Sequence, residues 1–122
     1  MNIALWVVAV LLAGAFAAAG AGKLTMTRKQ LAEKGMTYVE DFSDGQIKTI
    51  GALEVLGAIG LILPPLVGIM EFLAPLAATG LLATMAGAIV VHLRRKEPFV
   101  PALALGVLAA FVAVGRFWIA PF

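Results

Sequence analysis

Long apolar runs, separated by short polar or proline-containing stretches, organise this chain. Four of them approach the roughly 20 residues that a membrane-crossing helix needs: Ile3–Gly22, Ile47–Leu63, Phe72–Leu93 and Phe99–Ile119. The pattern predicts an all-α four-helix transmembrane bundle in one domain, residues 1–122. Pro64-Pro65 lack amide donors and clash with the preceding turn, so the second span is expected to end at Leu63. Pro75, Pro98 and Pro101 fall near the starts of the third and fourth spans, where a missing donor costs little. The small-residue tail AFAAAGAG of the first run (residues 15–22) looks like a signal-cleavage site. No Lys or Arg precedes the run, however, and it is longer than a signal core, so it is read as an uncleaved span.

The segment from Lys23 to Gln46 is polar and sits between the first two spans. Thr27-Arg-Lys-Gln30 and Ser43-Asp-Gly-Gln46 each fit a capping box, in which a hydroxyl and a glutamine three residues later satisfy two orphan amides. A short helix over Arg28–Lys34, ended by Gly35, follows from the first box, and the start of span two from the second. Leu31, Met36, Tyr38, Val39 and Phe42 give the segment an apolar side. Two arrangements fit: an amphipathic segment lying on the membrane interface, or a solvated loop.

Composition agrees with the pattern. Hydrophobic residues make up 62% and charged residues 13%, against about 45–50% and about 25% in soluble domains, so this is an integral membrane protein. The net charge of +2 does not point to nucleic acid, because the basic residues lie between apolar runs. The absence of cysteine excludes disulfide chemistry, a cysteine-ligated metal and sulfur-linked lipid in this chain.

The 9 Lys and Arg divide unevenly. Lys23, Arg28, Lys29, Lys34 and Lys48 flank the first loop; Arg94, Arg95 and Lys96 fill the third; the second has none, and Arg116 is near the chain end. The positive-inside rule then places loops one and three in the cytoplasm and both termini outside, in what is expected to be a bacterial cell membrane. Small residues spaced three or four apart mark expected helix contacts. They are Ala13, Ala17, Ala21 and Gly14, Ala18, Gly22 in span one, Ala83 and Gly87 in span three, and Ala102, Gly106, Ala109, Ala113 in span four. Val107 and Val112 are expected to face lipid.

One ionisable residue interrupts span two. Glu54 lies about 10 Å along the helix from Ile47 at about 1.5 Å per residue, too deep to reach the surface. A charge at mid-span costs roughly 2.5–3.5 kcal/mol on insertion scales, so the carboxyl must be paired, protonated or in a polar pocket. The topology puts Lys23, at the end of span one, and His92, at the end of span three, in the same half of the bundle. Thr84, Ala88 and His92 form a face of span three expected to turn toward Glu54. Lys23, Glu54 and His92 are therefore the candidate ligand-binding or proton-handling pocket, with Lys23 the better cation for an ionised Glu54. Glu71 and Arg116, at the outer ends of spans three and four, are a candidate ion pair. No catalytic residue or metal site is assigned.

The AGAGKL ending of span one (residues 19–24), the IGALEVLGAIGLILP of span two (residues 50–64) with its Gly51-x-x-Glu54 core, and a third span that ends in His92 before basic residues together resemble the DoxX-like family. The resemblance runs over nearly the whole chain and implies a four-helix membrane bundle whose characteristic positions are Lys23, Glu54 and His92. It also implies an association with membrane oxidoreductase systems, since the wider group includes a subunit of a thiosulfate:quinone oxidoreductase, while distant eukaryotic relatives act as assembly chaperones for membrane receptors.

Three function classes follow. The first is a binding or accessory subunit of a redox system, with a polar pocket for an apolar molecule such as a quinone and a membrane redox partner or a second copy of the chain beside it. The second is a non-enzymatic assembly factor or structural subunit. The third, a proton-coupled exporter, fits less well because span one has no acid and the Lys/Arg bias is strong. One histidine is too few for two axial haem ligands, and no flavin or nicotinamide fingerprint is present. The orientation can be tested directly. Reporters fused after Lys34 or Arg95 should read cytoplasmic and one at the C-terminus external; a cytoplasmic C-terminus would overturn the assignment.

Overall fold

In the computed structural model, which describes residues 1–122, the four expected spans are four long helices. Helix α1 covers Asn2–Thr25, α3 Asp44–Val67, α4 Leu73–Arg94 and α5 Val100–Val114; a short α2, Arg28–Glu33, lies in the first loop. A π-helical turn, Gly115–Ile119, prolongs α5 to 20 residues. All four spans are long and apolar enough to cross a bilayer. They pack in a ring, α1 on α3, α3 on α4, α4 on α5 and α5 back on α1. Leu12, Phe16, Leu61, Leu81 and Val112 fill the ring's centre, while Leu11, Leu56, Leu66 and Val107 are exposed where lipid would lie.

The Pro64-Pro65 stop is a correction. Helix α3 runs through both prolines to Val67. Its last turn is sealed by Gly68, whose left-handed φ of 73° turns the chain so that its own N–H and that of Ile69 both donate to the Pro64 carbonyl. The capping boxes at Thr27 and Ser43 form as expected, each with a hydroxyl accepting from an amide and a glutamine accepting in return. Between them the chain makes a 3-10 turn, Thr37–Asp41, that periodicity gave no reason to expect. The segment's apolar side turns neither to the membrane surface nor to water: Leu31 and Val39 bury against Ile47 at the start of α3. The first loop is thus a cap folded onto the basic end of the bundle.

The small-residue stripes divide. The α5 stripe of Ala102, Gly106, Ala109 and Ala113 is buried throughout, with Arg116 continuing it. Val112, expected to face lipid, is also buried, because it lies three residues beyond Ala109 on the same inward side. In α1 the inward face is Leu5, Ala9, Leu12, Phe16, Gly20 and Lys23, and Gly14 and Ala18 point outward instead. Ala83 and Gly87 are exposed, and a Cβ at Gly87 would meet nothing. The closest crossing is one the stripes did not include. A Cβ at Gly20 would lie 2.5 Å from the Gly51 carbonyl oxygen, and one at Gly51 would lie 2.7 Å from the Lys23 Cβ. Only hydrogen fits at both positions, so the backbones of α1 and α3 touch there.

Gly20→Ala should therefore force the helices apart and cost about 1–3 kcal/mol, the usual range for overpacking. Gly14→Ala, whose new methyl enters open space, should be neutral or slightly stabilising. Thermal denaturation in detergent or nanodiscs checks this, and equal stability of the two variants would contradict the contact.

Candidate functional site

The glycine crossing sets the chemistry one turn further along each helix. Lys23 is three residues beyond Gly20 and Glu54 three beyond Gly51; because α1 and α3 run antiparallel, the two lie one turn to either side of the contact, and the long lysine stem spans the offset. They meet: Lys23 Nζ donates to Glu54 Oε1 at 2.6 Å. The residues are only 4% and 2% exposed, so water screens the pair little and each charge depends on the other. Glu54 Oε2 makes no further hydrogen bond to protein, and Lys23 Nζ has two N–H groups to spare beyond its bond to Glu54.

Beside the pair lies a cavity of about 360 Å³ between α3 and α4. Lys23 and Glu54 form its inner polar wall, Ile50, Thr84, Met85, Ala88 and Val91 its sides, and Tyr38 and Phe42 its roof at the basic end. Leu53, Ala83 and Gly87 also line it and are exposed. In a bilayer these are lipid-facing positions, so the mouth opens sideways between two spans. Ala83 and Gly87 are small, so their side chains narrow that mouth little.

Of the face Thr84, Ala88 and His92, the first two line the cavity with Glu54, and His92 does not. The Tyr38 ring stands between: its centroid is 5.9 Å from Lys23 Nζ and 5.3 Å from that of the His92 ring, which it meets edge to face. His92 Nδ1 turns to Glu97 Oε1 at 3.4 Å. Lys23 and Glu54 thus touch, and His92 belongs to the layer behind Tyr38. Tyr38 and Phe42 enter the site unforeseen. The signal for them was two aromatic residues on the apolar side of the loop, and only the 3-10 turn tells where they go.

That layer latches the cap to the third loop. Arg95 donates to Asp41 Oδ1 at 2.7 Å, approaches Glu40 Oε2 at 3.4 Å and lies 3.1 Å from Glu97 Oε1. The Thr37 hydroxyl donates to Glu97. That hydrogen bond, with smaller contributions from Arg95 and His92, holds the Glu97 carboxyl below its ordinary range despite some desolvation.

At the opposite end the expected Glu71–Arg116 pair is not formed. Arg116 is buried, donates to Asn2 Oδ1 at 2.7 Å and to the Ala120 carbonyl at 3.0 Å, and stacks 3.8 Å from the centroid of the Phe122 ring. The π-turn brings Ala120 and Phe122 to the guanidinium, so backbone and aromatic partners replace the carboxylate. Glu71 and Arg116 share only the lining of a small cavity of about 160 Å³. No group of His, Asp and Glu is placed to hold a metal ion.

A profile of the DoxX-like family matches residues 7–115, nearly the whole chain. The chain belongs to the DoxX-like family. Its span from α1 to the π-turn includes Lys23, Glu54, His92 and the whole cavity wall. No curated protein and no solved structure matches this DoxX-like chain.

Two outcomes test the site. Removing one partner of a buried pair strands the other charge and costs about 3–5 kcal/mol. Lys23→Met and Glu54→Leu should each destabilise by that much, and the double variant should recover most of it; additive losses would contradict a buried pair. The latch should depend on pH. A depressed carboxyl pKa stabilises the docked cap above the ordinary carboxylate range and loses that contribution as pH falls through the depressed value. Hydrogen-exchange protection of residues 37–41, corrected for intrinsic rates, should fall in acid, and Glu97→Gln should show the same loss at neutral pH.

Proposed function

We propose that this DoxX-like membrane protein is a binding or accessory subunit of a redox system, whose lateral cavity takes a lipophilic molecule with a polar head, of the quinone class. The observation that carries this reading is the position of the Lys23–Glu54 pair on the inner wall of a cavity open toward lipid. A quinone dissolved in the bilayer reaches such a mouth without crossing water. Its ring fits walls of Ile50, Met85 and Val91, and its oxygens accept hydrogen bonds from the spare N–H groups of Lys23. A reduced ring also has hydroxyls to donate, and Glu54 Oε2 is an acceptor for one of them. The positive-inside rule orients the site, with the cap and the ion pair toward the cytoplasm.

A second reading, an assembly factor or structural subunit, is favoured by a different observation. Gly80 and Gly87 stand on the exposed side of α4 with open space where a Cβ would be. A helix of another membrane protein could approach closely there, and it would cover the same mouth.

Native mass spectrometry of the protein extracted with its lipids separates the two. The binding reading expects a quinone-sized adduct on the chain, absent from Lys23→Met/Glu54→Leu, which removes the polar wall without stranding a charge. A stoichiometric protein partner with no small-molecule adduct would support the second reading and overturn the first.

A further inference from the structure

Lys23 does more than face the lateral cavity. It also lines a second cavity of about 190 Å³, on the other side of the α1–α3 crossing at the basic end. The two spaces differ in chemistry. The lateral one is walled mainly by apolar side chains and opens to lipid, whereas the second is walled by Thr25, Thr27, Arg28, Asp44 and Lys48 and lies among exposed polar residues. Lys23 is the one residue common to both linings. Its neighbours in the polar cavity are engaged elsewhere: Arg28 with Asp44 at 3.2 Å and with the Phe42 carbonyl, Lys48 with the Leu24 carbonyl at 3.2 Å.

We infer that Lys23 is a proton relay, through which a ligand in the lateral cavity exchanges protons with the cytoplasm rather than with the outer face. This rests on the proposed binding of a polar-headed lipophile. A proton on Nζ passes to an anionic oxygen of the ligand, the N–H bond breaking as the O–H bond forms from an oxygen lone pair. The neutral amine left behind takes a proton from hydronium or buffer acid in the polar cavity and regains its charge. Glu54 favours this return, because a carboxylate in contact with the amine stabilises the ammonium. Tyr38 and Phe42 roof the lateral cavity and close its basic end, which leaves Lys23 as the polar route between the two spaces. An arginine in the same place would keep the charge and the pair but hold its proton, since the guanidinium stays protonated in proteins.

The first arm of the test uses a hydroxylated naphthoquinone, a lipophilic weak acid whose absorbance changes on losing its proton, in vesicles with known protein orientation. After a pH jump on the cytoplasmic side the bound probe should change colour quickly; after a jump on the outer side it should not. Lys23→Arg, compared with the parent at equal probe occupancy whatever probe concentration that takes, should lose the fast response. A bound probe that answers the outer side, or a Lys23→Arg variant as fast as the parent, would overturn the relay.

The second arm needs no ligand and uses the chain's lack of cysteine. In a Glu54→Gln background, which leaves no stranded carboxylate, Lys23→Cys should be labelled both by a membrane-impermeant thiol reagent from the cytoplasmic side and by a lipid-soluble maleimide. Thr27→Cys should react only with the first and Leu53→Cys only with the second. Lys23→Cys closed to the aqueous reagent, while Thr27→Cys reacts, overturns the relay even if the probe binds. Dual labelling of Lys23→Cys without any probe binding removes the lipophile as the relay's client, and with it the inference.

Discussion

Burying a charge in a membrane is tolerable only if groups that stabilise it are buried with it, and the placement of the site follows from that constraint. Two helix backbones must come close enough for a lysine and a glutamate, each three residues past the contact, to touch. Gly20 and Gly51 permit that approach because a methyl at either would collide with the opposite helix. The 2.6 Å contact between Lys23 and Glu54 is the result. Breaking the pair strands a charge, so the crossing and the pair hold each other in place. The ion pair is built on two spans and not on a loop.

Around this fixed point the two sides of the bundle have different tasks. The α1–α3 side is closed tightly and carries the charge. The α3–α4 side is left open at the exposed Ala83 and Gly87, and the pair faces the cavity there. The first loop completes the arrangement by folding back: Leu31, Val39 and Ile47 form a small core of their own, which presents Tyr38 and Phe42 to the cavity. Arg95 and Glu97 fasten this cap from the third loop. Helix packing, the ion pair and the cap thus meet within one end of the molecule.

Much of this was legible in the sequence. Four apolar runs gave four helices, and two capping boxes gave the starts of α2 and α3, because these signals rest on burial in lipid and on local hydrogen bonding. Glu54 stood out because a carboxylate within an apolar run needs an explanation, and topology put Lys23 at the same depth. What sequence did not resolve depends on rotation about helix axes and on tertiary docking. Small residues at spacing four suggest a contact without saying whether the face meets protein or lipid, so Gly14 and Gly87 looked like Gly106. Pro64-Pro65 looked like a stop because the seal at Gly68 lies beyond them. His92 looked like a pocket residue because nothing in a linear pattern shows Tyr38 coming between it and Glu54. Arg116 was matched with Glu71 by depth alone, whereas the π-turn supplies it with a carbonyl and a ring.

The pocket has its polar wall only if Lys23 and Glu54 are in contact in a lipid bilayer. Solid-state NMR on the protein in liposomes, with ¹⁵N at lysine side chains and ¹³C at glutamate carboxyls, measures that contact as a through-space dipolar coupling. A coupling of directly hydrogen-bonded strength, lost in Glu54→Gln prepared with the same labels, is the expected result. Its absence in the folded parent protein would mean that the two groups do not meet, and the account of the pocket would be wrong.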